Sequence, residues 1–285
     1  MSTEIYDIGY RHYDGPRLGS GHTNRALIVH SLRGVFGLGR AARSKIVPFM
    51  LAVIMVLPAV VTIAMMALLK ERDLAYSAYT VIMQPVVAIF MAAQAPTQVG
   101  PDLRYRVLPL YMSRPVSVLS YVGAKVVAMT VALFLIVAVP LVLMFAGELL
   151  VDMPGPPATG EFLGALTTAL VLAILLATVS LAIASLTPRR GLGVASVSAV
   201  YLLSLAAVPV IYGTLLSMNE TALAKWAWLL NPFWLVDAVQ VWLFNSTPSS
   251  EGGYPAGPVP ALLTLAFIAI GLGVLALRYR KAAAQ

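Results

Sequence analysis

Six long stretches without a charged residue constrain this 285-residue chain more than any other feature. They contain 22 to 29 residues each and cover 46–69, 74–101, 126–147, 162–188, 191–219 and 252–277. A helix needs about 20 apolar residues to cross the ~30 Å hydrocarbon core of a bilayer. Runs such as "VALFLIVAVPLVLMF" do not alternate as the strands of a membrane β-barrel would. These stretches therefore predict an all-α integral membrane protein with six transmembrane helices.

The predicted spans divide the chain into a membrane domain, 46–277, and two flanking segments. We place the helices at about 46–69, 77–98, 121–147, 162–186, 194–216 and 259–277. A further apolar stretch, "WAWLLNPFWLV" at 226–236, is too short to span and contains an Asn-Pro pair. We interpret it as a re-entrant or interfacial element in an outer segment, 217–258, that precedes the last helix.

The cations predict the orientation of the chain. If both termini are cytoplasmic, the inner segments 1–45, 99–125, 187–193 and 278–285 hold 16 of the 19 Lys and Arg residues. The outer segments hold only Lys70, Arg72 and Lys225. This asymmetry is typical of the positive-inside rule. We therefore interpret the net charge of +7 as a signature of topology and of contact with anionic membrane lipid, and expect no nucleic-acid partner.

The N-terminal segment 1–45 begins with "MSTEIYDIGYRHYDG", which has acids and no apolar core, so we expect no cleavable signal peptide. From Thr23 the pattern predicts an amphipathic helix, with Leu27 and Leu32 on one face and Arg25 and Arg33 on the other. Such a helix is expected to lie along the cytoplasmic membrane surface. A partly ordered basic flank is the alternative. The tail 278–285 is also expected to be cytoplasmic.

The chain offers little that could carry catalysis. It has no phosphate-binding loop of the Gly-x-x-x-x-Gly-Lys type, no Asp-rich diphosphate motif and no cysteine. Its three histidines, all within residues 12–30, are interpreted as surface residues rather than metal ligands. The six uncharged stretches at the centre of these spans offer no acidic or basic side chain, which disfavours a carrier driven by protons or sodium. We therefore expect no enzyme activity, no metal site and no cofactor bound by this chain.

The stretch "DLRYRVLPLYMSRP", residues 102–115, is the polar exception. It belongs to the connection 99–120 between the second and third predicted helices, which is far longer than the inner turn "TPRRGLG" at 187–193. This length favours a surface on which another protein docks. The alternative is a solvated basic loop that only obeys the positive-inside rule.

Three segments resemble one family. The run "DLRYRVLPLYMSRPVSVLSYVGAK" (102–125) is similar to the cytoplasmic loop of ABC-2 type transporter permeases. The segments "IYDIGYRHYDGPRLG" (5–19) and "LLNPFWLVDAV" (229–239) resemble the start of such permeases and their outer segment. The resemblance implies that two permease chains pair and that each binds a separate ATP-binding subunit that carries ATP and Mg²⁺. A homodimer is the expected pairing, and a heterodimer is the alternative. It further implies that the loop contains a coupling helix seated in that subunit.

The resemblance also implies roles for particular residues. The expected ATPase-coupling residues are Asp102, Arg104, Tyr105, Arg106, Leu108, Pro109, Tyr111, Ser113, Arg114 and Pro115, with the three arginines as the main polar contacts. Arg189 and Arg190 are candidates for a second cytoplasmic contact, or are plain topology determinants. The short helices of the outer segment would shield the exit, with Asn231, Pro232, Phe233, Trp234 and Asp237 at an outer gate or interface. An aromatic belt, with Asp237 exposed at the membrane interface, is the alternative.

Two polar helix faces are candidates for a translocation path. On a helical wheel, Thr80, Gln84, Gln94 and Gln98 share one side of the second predicted helix, and Tyr201, Ser204 and Tyr212 share one side of the fifth. Hydrogen bonds between helices are the alternative role for these residues.

The function expected from sequence is therefore that of the permease subunit of an ATP-driven exporter in the plasma (inner) membrane of a bacterium. A membrane anchor or assembly protein that recruits a partner through 102–115 is the main alternative. A membrane-embedded transferase is disfavoured by the missing catalytic carboxylates.

Overall fold

The computed structural model of the protein describes residues 15, 18–72, 74–105, 107–112, 116–151 and 153–284. Within these ranges all regular secondary structure is helical. The helices, in chain order, are α1 Ser20–Val35, α2 Arg43–Leu69, α3 Tyr76–Ile82, α4 Gln84–Arg104, α5 Leu108–Met112, α6 Val118–Leu150, α7 Thr159–Leu186, α8 Arg190–Ser217, α9 Thr221–Ala227, α10 Pro232–Phe244 and α11 Val259–Ala283. A 3-10 turn, Trp228–Leu230, joins α9 to α10.

Five of these helices are long and apolar enough to cross a bilayer: α2, α6, α7, α8 and α11. Two further pairs pass the same test together but are bent, α3–α4 by 53° and α9–α10 by 115°. The part of the chain that the structure describes thus holds between five and seven candidate spans. The protein is an all-α multi-pass membrane protein, which confirms the predicted class.

The second predicted helix, 77–98, is not a single helix. The chain breaks at Met83, between α3 and α4, and Pro85 follows in the first turn of α4. A proline ring lacks an N–H and clashes with the carbonyl four residues earlier, so a continuous helix through this point is disfavoured. At its other end α4 runs to Arg104, well into the connection that was predicted as a loop.

Helix α7 is the centre of the bundle. It packs against α4, α6, α8, α10 and α11, and its most apolar window is 67% buried within the chain. Its buried hydroxyls bond to its own backbone: Thr178 Oγ1 donates to the Ile174 carbonyl over 2.9 Å, and Ser180 Oγ donates to the Leu176 carbonyl over 2.6 Å. Polar residues therefore sit inside this helix without unsatisfied donors.

Helices α7 and α11 approach closely where Gly271 faces Thr178. A Cβ atom at position 271 would lie 3.1 Å from the Thr178 carbonyl carbon. A small residue here allows the two backbones to pack directly, as is common between membrane helices.

The two ends of the bundle are formed by different helices and turns. One end, which we call the α5 end, combines α5 with the ends of α4 and α11, the start of α6 and the α7–α8 turn. At this end a Cβ at Gly100 would lie 3.3 Å from the Pro188 carbonyl oxygen, and Arg278 Nε donates to the Ser185 carbonyl over 3.3 Å. The opposite end contains the turn after α2, the end of α6, and α9 and α10.

Candidate functional site

A short segment with exposed apolar and aromatic side chains lies at the α5 end. Tyr105 is 67% exposed and Leu110 is 73% exposed, and Arg104 and Pro109 are exposed beside them. Leu108, at 1% exposure, packs into the core and fixes the start of α5. The structure thus presents three of the predicted coupling residues, Arg104, Tyr105 and Pro109, on one accessible segment, together with Leu110, which was not among them. Arg106, Ser113, Arg114 and Pro115 lie outside the described residues, and their role stays a prediction.

Asp102 does not belong to this exposed surface. It was predicted as a docking contact, but its carboxylate is buried and forms an ion pair with Lys125, with 2.7 Å between Oδ2 and Nζ. The Tyr279 hydroxyl donates to the same oxygen over 3.2 Å. Because a buried carboxylate needs compensating partners, its role is internal: it joins α4 to α6 and α11.

Aromatic rings extend this buried group toward α5. The Tyr121 ring centroid lies 5.2 Å from that of Tyr111 in α5 and 6.1 Å from that of Tyr279 in α11. Lys125 Nζ lies 5.1 Å above the Tyr121 ring. We call Asp102, Tyr111, Tyr121, Lys125 and Tyr279 the Asp102 cluster. It connects the exposed segment to three of the long helices. A displacement of α5 would therefore be transmitted to α4, α6 and α11.

Arg189 and Arg190 lie at the same end. Arg189 precedes the first turn of α8, Arg190 begins that helix, and both are exposed. The α7–α8 turn packs against α4, since a Cβ at Gly193 would meet Pro96 Cβ at 3.0 Å. Both arginines are accessible at the end of the bundle that carries Tyr105 and Leu110, as a second contact would require.

Three residues meet in one polar junction: Gln84 and Ser204, which were predicted in the translocation path, and Asn231, which was predicted at the outer gate. Asn231 Nδ2 donates to Gln84 Oε1 over 3.0 Å and to Ser204 Oγ over 3.4 Å. Asn231 is fully buried, and its Oδ1 also accepts the Phe233 backbone N–H over 2.8 Å at the start of α10. We call Gln84, Ser204 and Asn231 the Asn231 junction. It joins the α3–α4 break, α8 and the α9–α10 pair.

The other residues of the predicted path lie inside the chain. Gln98 Nε2 donates to the Ser31 carbonyl over 2.9 Å, which ties α4 to α1. Gln94, Tyr201 and Tyr212 are buried, and Thr80 is half-buried. These contacts match the alternative of hydrogen bonding and packing between helices. The Tyr201 hydroxyl has no hydrogen-bond partner among the described residues.

The α9–α10 pair is anchored to α8 by tilted and edge-to-face contacts between aromatic rings. The Trp228 ring centroid lies 4.7 Å from that of Tyr212 in α8 and 4.5 Å from that of Trp234 in α10. Phe233 is buried, and Pro232 is the first residue of α10, where its missing N–H costs no hydrogen bond.

Asp237 is also buried, contrary to the expected exposure at the membrane interface. Its carboxylate accepts hydrogen bonds from the Ser249 N–H at 2.9 Å, from Ser249 Oγ at 3.0 Å and from the Tyr254 hydroxyl at 2.5 Å. Burial and the neighbouring Asp237 carboxylate raise the pKa of Tyr254 well above its ordinary value, so its hydroxyl remains a donor. Asp237 thus holds the 245–258 connection against α10.

Two residues important for this architecture were not singled out from sequence. Lys125 closes the Asp102 cluster, and its only signal was its place in the quoted Tyr-x-x-x-Lys pattern. Glu148 lies buried in α6, where it forms an ion pair with Arg72 at 3.3 Å and accepts the Ala158 N–H at 2.8 Å. It was predicted to follow the third helix, but α6 continues to Leu150.

Within the described ranges no group of three or more His, Asp or Glu side chains lies together as a metal site would require. Most of the N-terminal segment quoted for the resemblance, and His12, lie outside those ranges. No family model matches the chain. No curated protein shows significant similarity to it.

Proposed function

We propose that this chain is the transmembrane permease subunit of an ATP-driven ABC-2 type transporter, an exporter in the plasma membrane of a bacterium. The observation that carries the proposal is α5. This helix of five residues lies between the second and third apolar segments. Leu110 in the helix and Tyr105 just before it are exposed. The Asp102 cluster connects the helix to three long helices. Such an element can bind a partner protein and transmit a conformational change of that partner to the membrane domain.

The exposed segment suits a protein partner. Leu110 and Tyr105 present apolar and aromatic surface, and the Arg104 guanidinium carbon lies 5.6 Å above the Tyr105 ring. Tyrosine and arginine are among the residues that contribute most to protein interfaces. Exposed Arg189 and Arg190 offer a second, cationic contact on the same face, where charge would tune docking.

We further propose six spans with both termini in the cytoplasm. In this topology the bent pair α3–α4 is the second span, and α9–α10 is re-entrant. Helix α10 has 13 residues and therefore rises about 20 Å, less than the ~30 Å hydrocarbon core. The 115° bend turns it back on α9, which favours entry and exit on one side. The excess of Lys and Arg then faces the cytoplasm at the α5 end.

The mechanism that follows is alternating access in a pair of such chains, each with an ATP-binding subunit. ATP and Mg²⁺ would be held by that subunit, since this sequence has no phosphate-binding loop. Closure of the two subunits would move α5 and, through the Asp102 cluster, α6 and α11. The Asn231 junction connects α4, α8 and the re-entrant pair, so it would have to break or travel with these helices as the outer side opens. A substrate would bias this equilibrium only through different affinities for its two states.

Copurification with ATP-binding subunits tests the proposal. The tagged chain is coexpressed with candidate ATP-binding proteins, solubilised in detergent and captured. The test variant combines Arg104→Glu with Leu110→Ala, which are both on the exposed segment. The matched control combines Arg280→Glu with Leu277→Ala, which are both exposed on α11. We expect the wild type and the control to retain an ATPase and the test variant to lose at least about 90% of it, since interface hot spots cost 2 kcal/mol or more.

Each outcome is informative. Loss in the test variant alone supports a docking role for α5 and its flank. Equal retention by both variants contradicts that role but leaves a permease with another contact surface. If no ATPase is captured by the wild type, the anchor or assembly protein becomes the better hypothesis, and mass spectrometry of the captured proteins would identify its partner.

A further inference from the structure

A cavity of about 900 Å³ opens at the α5 end between α1 and the helices α4 and α6. Its walls come from α1, the turn that follows α1, α4, α5 and α6. The charged and polar side chains that line it include His30, Arg33, Arg40, Gln98, Asp102 and Lys125. The cavity shares Asp102, Tyr111, Tyr121 and Lys125 with the Asp102 cluster, and none of its lining residues belongs to the Asn231 junction.

Among the described residues that line the cavity, the formal net charge is positive. Lys125 and Asp102 neutralise each other at 2.7 Å and leave a polar but uncharged floor. Arg33 and Arg40 have no carboxylate within ion-pair distance among the described residues. Two guanidinium groups that share a concave site without a counter-charge raise the local concentration of anions.

The position of Arg40 directs a donor into this site. A Cβ atom at Gly34 would lie 3.7 Å from Arg40 Nη2 and 3.4 Å from Gln98 Nε2. The guanidinium of Arg40 therefore folds back across α1 beside the Gln98 amide rather than extending away from the protein. Glycine at position 34 leaves room for both groups, and the guanidinium fork suits the oxygens of a phosphate.

The rest of the lining is apolar, with Ala26, Leu27, Leu38 and Val116 among the wall residues. A ligand that is anionic at one end and apolar at the other fits such walls better than a small soluble anion does. Helix α1 is amphipathic and precedes the first apolar helix, so it is suited to the lipid headgroup region.

We propose that this cavity binds the phosphate headgroup of an anionic membrane phospholipid, with Arg33 and Arg40 on the phosphate oxygens and the apolar wall along the start of the acyl chains. The lipid would fix α1 against α4 and α6. This inference goes beyond the transport function and holds whether or not an ATPase docks at α5.

Native mass spectrometry of the full chain in detergent tests the proposal, with phosphatidylglycerol and phosphatidylcholine as probes. The cavity variant is Arg33→Gln/Arg40→Gln. The control is Arg25→Gln/Arg43→Gln, which removes the same charge from the same segment; all four arginines are exposed, but only Arg33 and Arg40 line the cavity. We expect the cavity variant to bind phosphatidylglycerol at least about tenfold more weakly, because each hydrogen bond to a charged group contributes roughly a factor of ten. The control should change binding by less than about twofold, because charges outside the cavity attract the headgroup only through screened, long-range interactions.

A second variant tests shape without changing charge. Ala26→Trp would place an indole in the cavity and should weaken phosphatidylglycerol binding by a similar factor, although both arginines remain. Equal losses in the cavity and control variants would mean that surface charge alone attracts lipid, and would overturn the proposal. No loss in the cavity variant would overturn it as well.

Inorganic phosphate separates the two sources of the anion. If 10-fold excess phosphate over phosphatidylglycerol leaves lipid binding unchanged, the lipid headgroup is the ligand. If phosphate alone displaces the lipid, and wild-type binding no longer depends on the acyl chains, the site takes a soluble phosphate and the lipid assignment is wrong. Size-exclusion profiles and melting temperatures of all variants confirm that the comparisons concern folded protein.

Discussion

Lys125 and Asp102 form an ion pair in which Nζ and Oδ2 are 2.7 Å apart and each side chain is only 12% exposed. Lys125 Nζ also donates to the Gln98 carbonyl over 2.5 Å, and Tyr279 donates to the Asp102 carboxylate. The pair is thus largely removed from water, and each side chain has a further hydrogen-bond partner. It holds together the helices that α5 would have to move.

Removing Lys125 should therefore be strongly destabilising. Lys125→Met leaves the Asp102 carboxylate buried beside the Tyr279 and Tyr121 hydroxyls but without its cation, and we expect a loss of about 3 kcal/mol in unfolding free energy. The double variant Asp102→Asn/Lys125→Met removes both charges and should recover more than half of that loss. Reversible denaturant unfolding in detergent gives the comparison. Lys281→Met, at an exposed position of α11, is the control and should stay within about 0.5 kcal/mol of wild type.

Substitutions in the Asn231 junction should lower the free energy of unfolding by amounts that depend on how many contacts each one removes. Asn231→Ala removes the hydrogen bond to Gln84, the contact with Ser204 and the cap on the Phe233 N–H, so we expect a loss of about 2 kcal/mol. Gln84→Ala leaves the cap and Ser204 in place and should cost about 1 kcal/mol less. The same unfolding measurement checks both variants, with Ser217→Ala at the exposed end of α8 as control. Equal losses for the two variants would show that the cap contributes nothing.

The class of the protein was predictable because uncharged stretches of this length have few other structures open to them. The α3–α4 break had a local signal in Pro85, although the prediction treated the region as one helix. The short α9–α10 pair was detectable for a similar reason, since Asn231 and Pro232 interrupt an apolar run that is too short to span.

The burial of Asp102 and Asp237 was not predictable in the same way. Both acids lie next to polar or aromatic segments that are typical of a surface, and their partners are remote in sequence: Tyr279 for Asp102, and Ser249 and Tyr254 for Asp237. Which residues meet depends on how the helices and connections pack, and hydrophobic periodicity does not determine that. The residue types predicted that both acids make polar contacts, but the packing of the helices determines that these contacts are buried within the protein.

Tyr254→Phe should loosen the connection 245–258. The variant removes one of the three donors to Asp237 while keeping the ring that packs against the core. Since the raised pKa of Tyr254 keeps its hydroxyl protonated in the wild type, this donor is present at neutral and mildly alkaline pH. We expect backbone amides of 245–258 to exchange with deuterium roughly tenfold faster, as the loss of one hydrogen bond to a charged group implies. Tyr105→Phe, at an exposed position, should leave these peptides unchanged.

The six-span topology can be tested directly because the sequence has no cysteine. Single cysteines replace Glu220, between α8 and α9, and Ala284, after α11; both positions are exposed. With α9–α10 re-entrant, α11 is the only crossing between them, so an impermeant maleimide should label Glu220→Cys in intact cells and Ala284→Cys only after permeabilisation. If α9–α10 crosses the membrane instead, two crossings separate the positions and both cysteines label from the same side. Ser117→Cys, exposed just before α6, should behave like Ala284→Cys and fixes the side on which α5 lies. Labelling of Ser117→Cys in intact cells would place α5 outside the cell and exclude docking of a cytoplasmic ATPase at that helix.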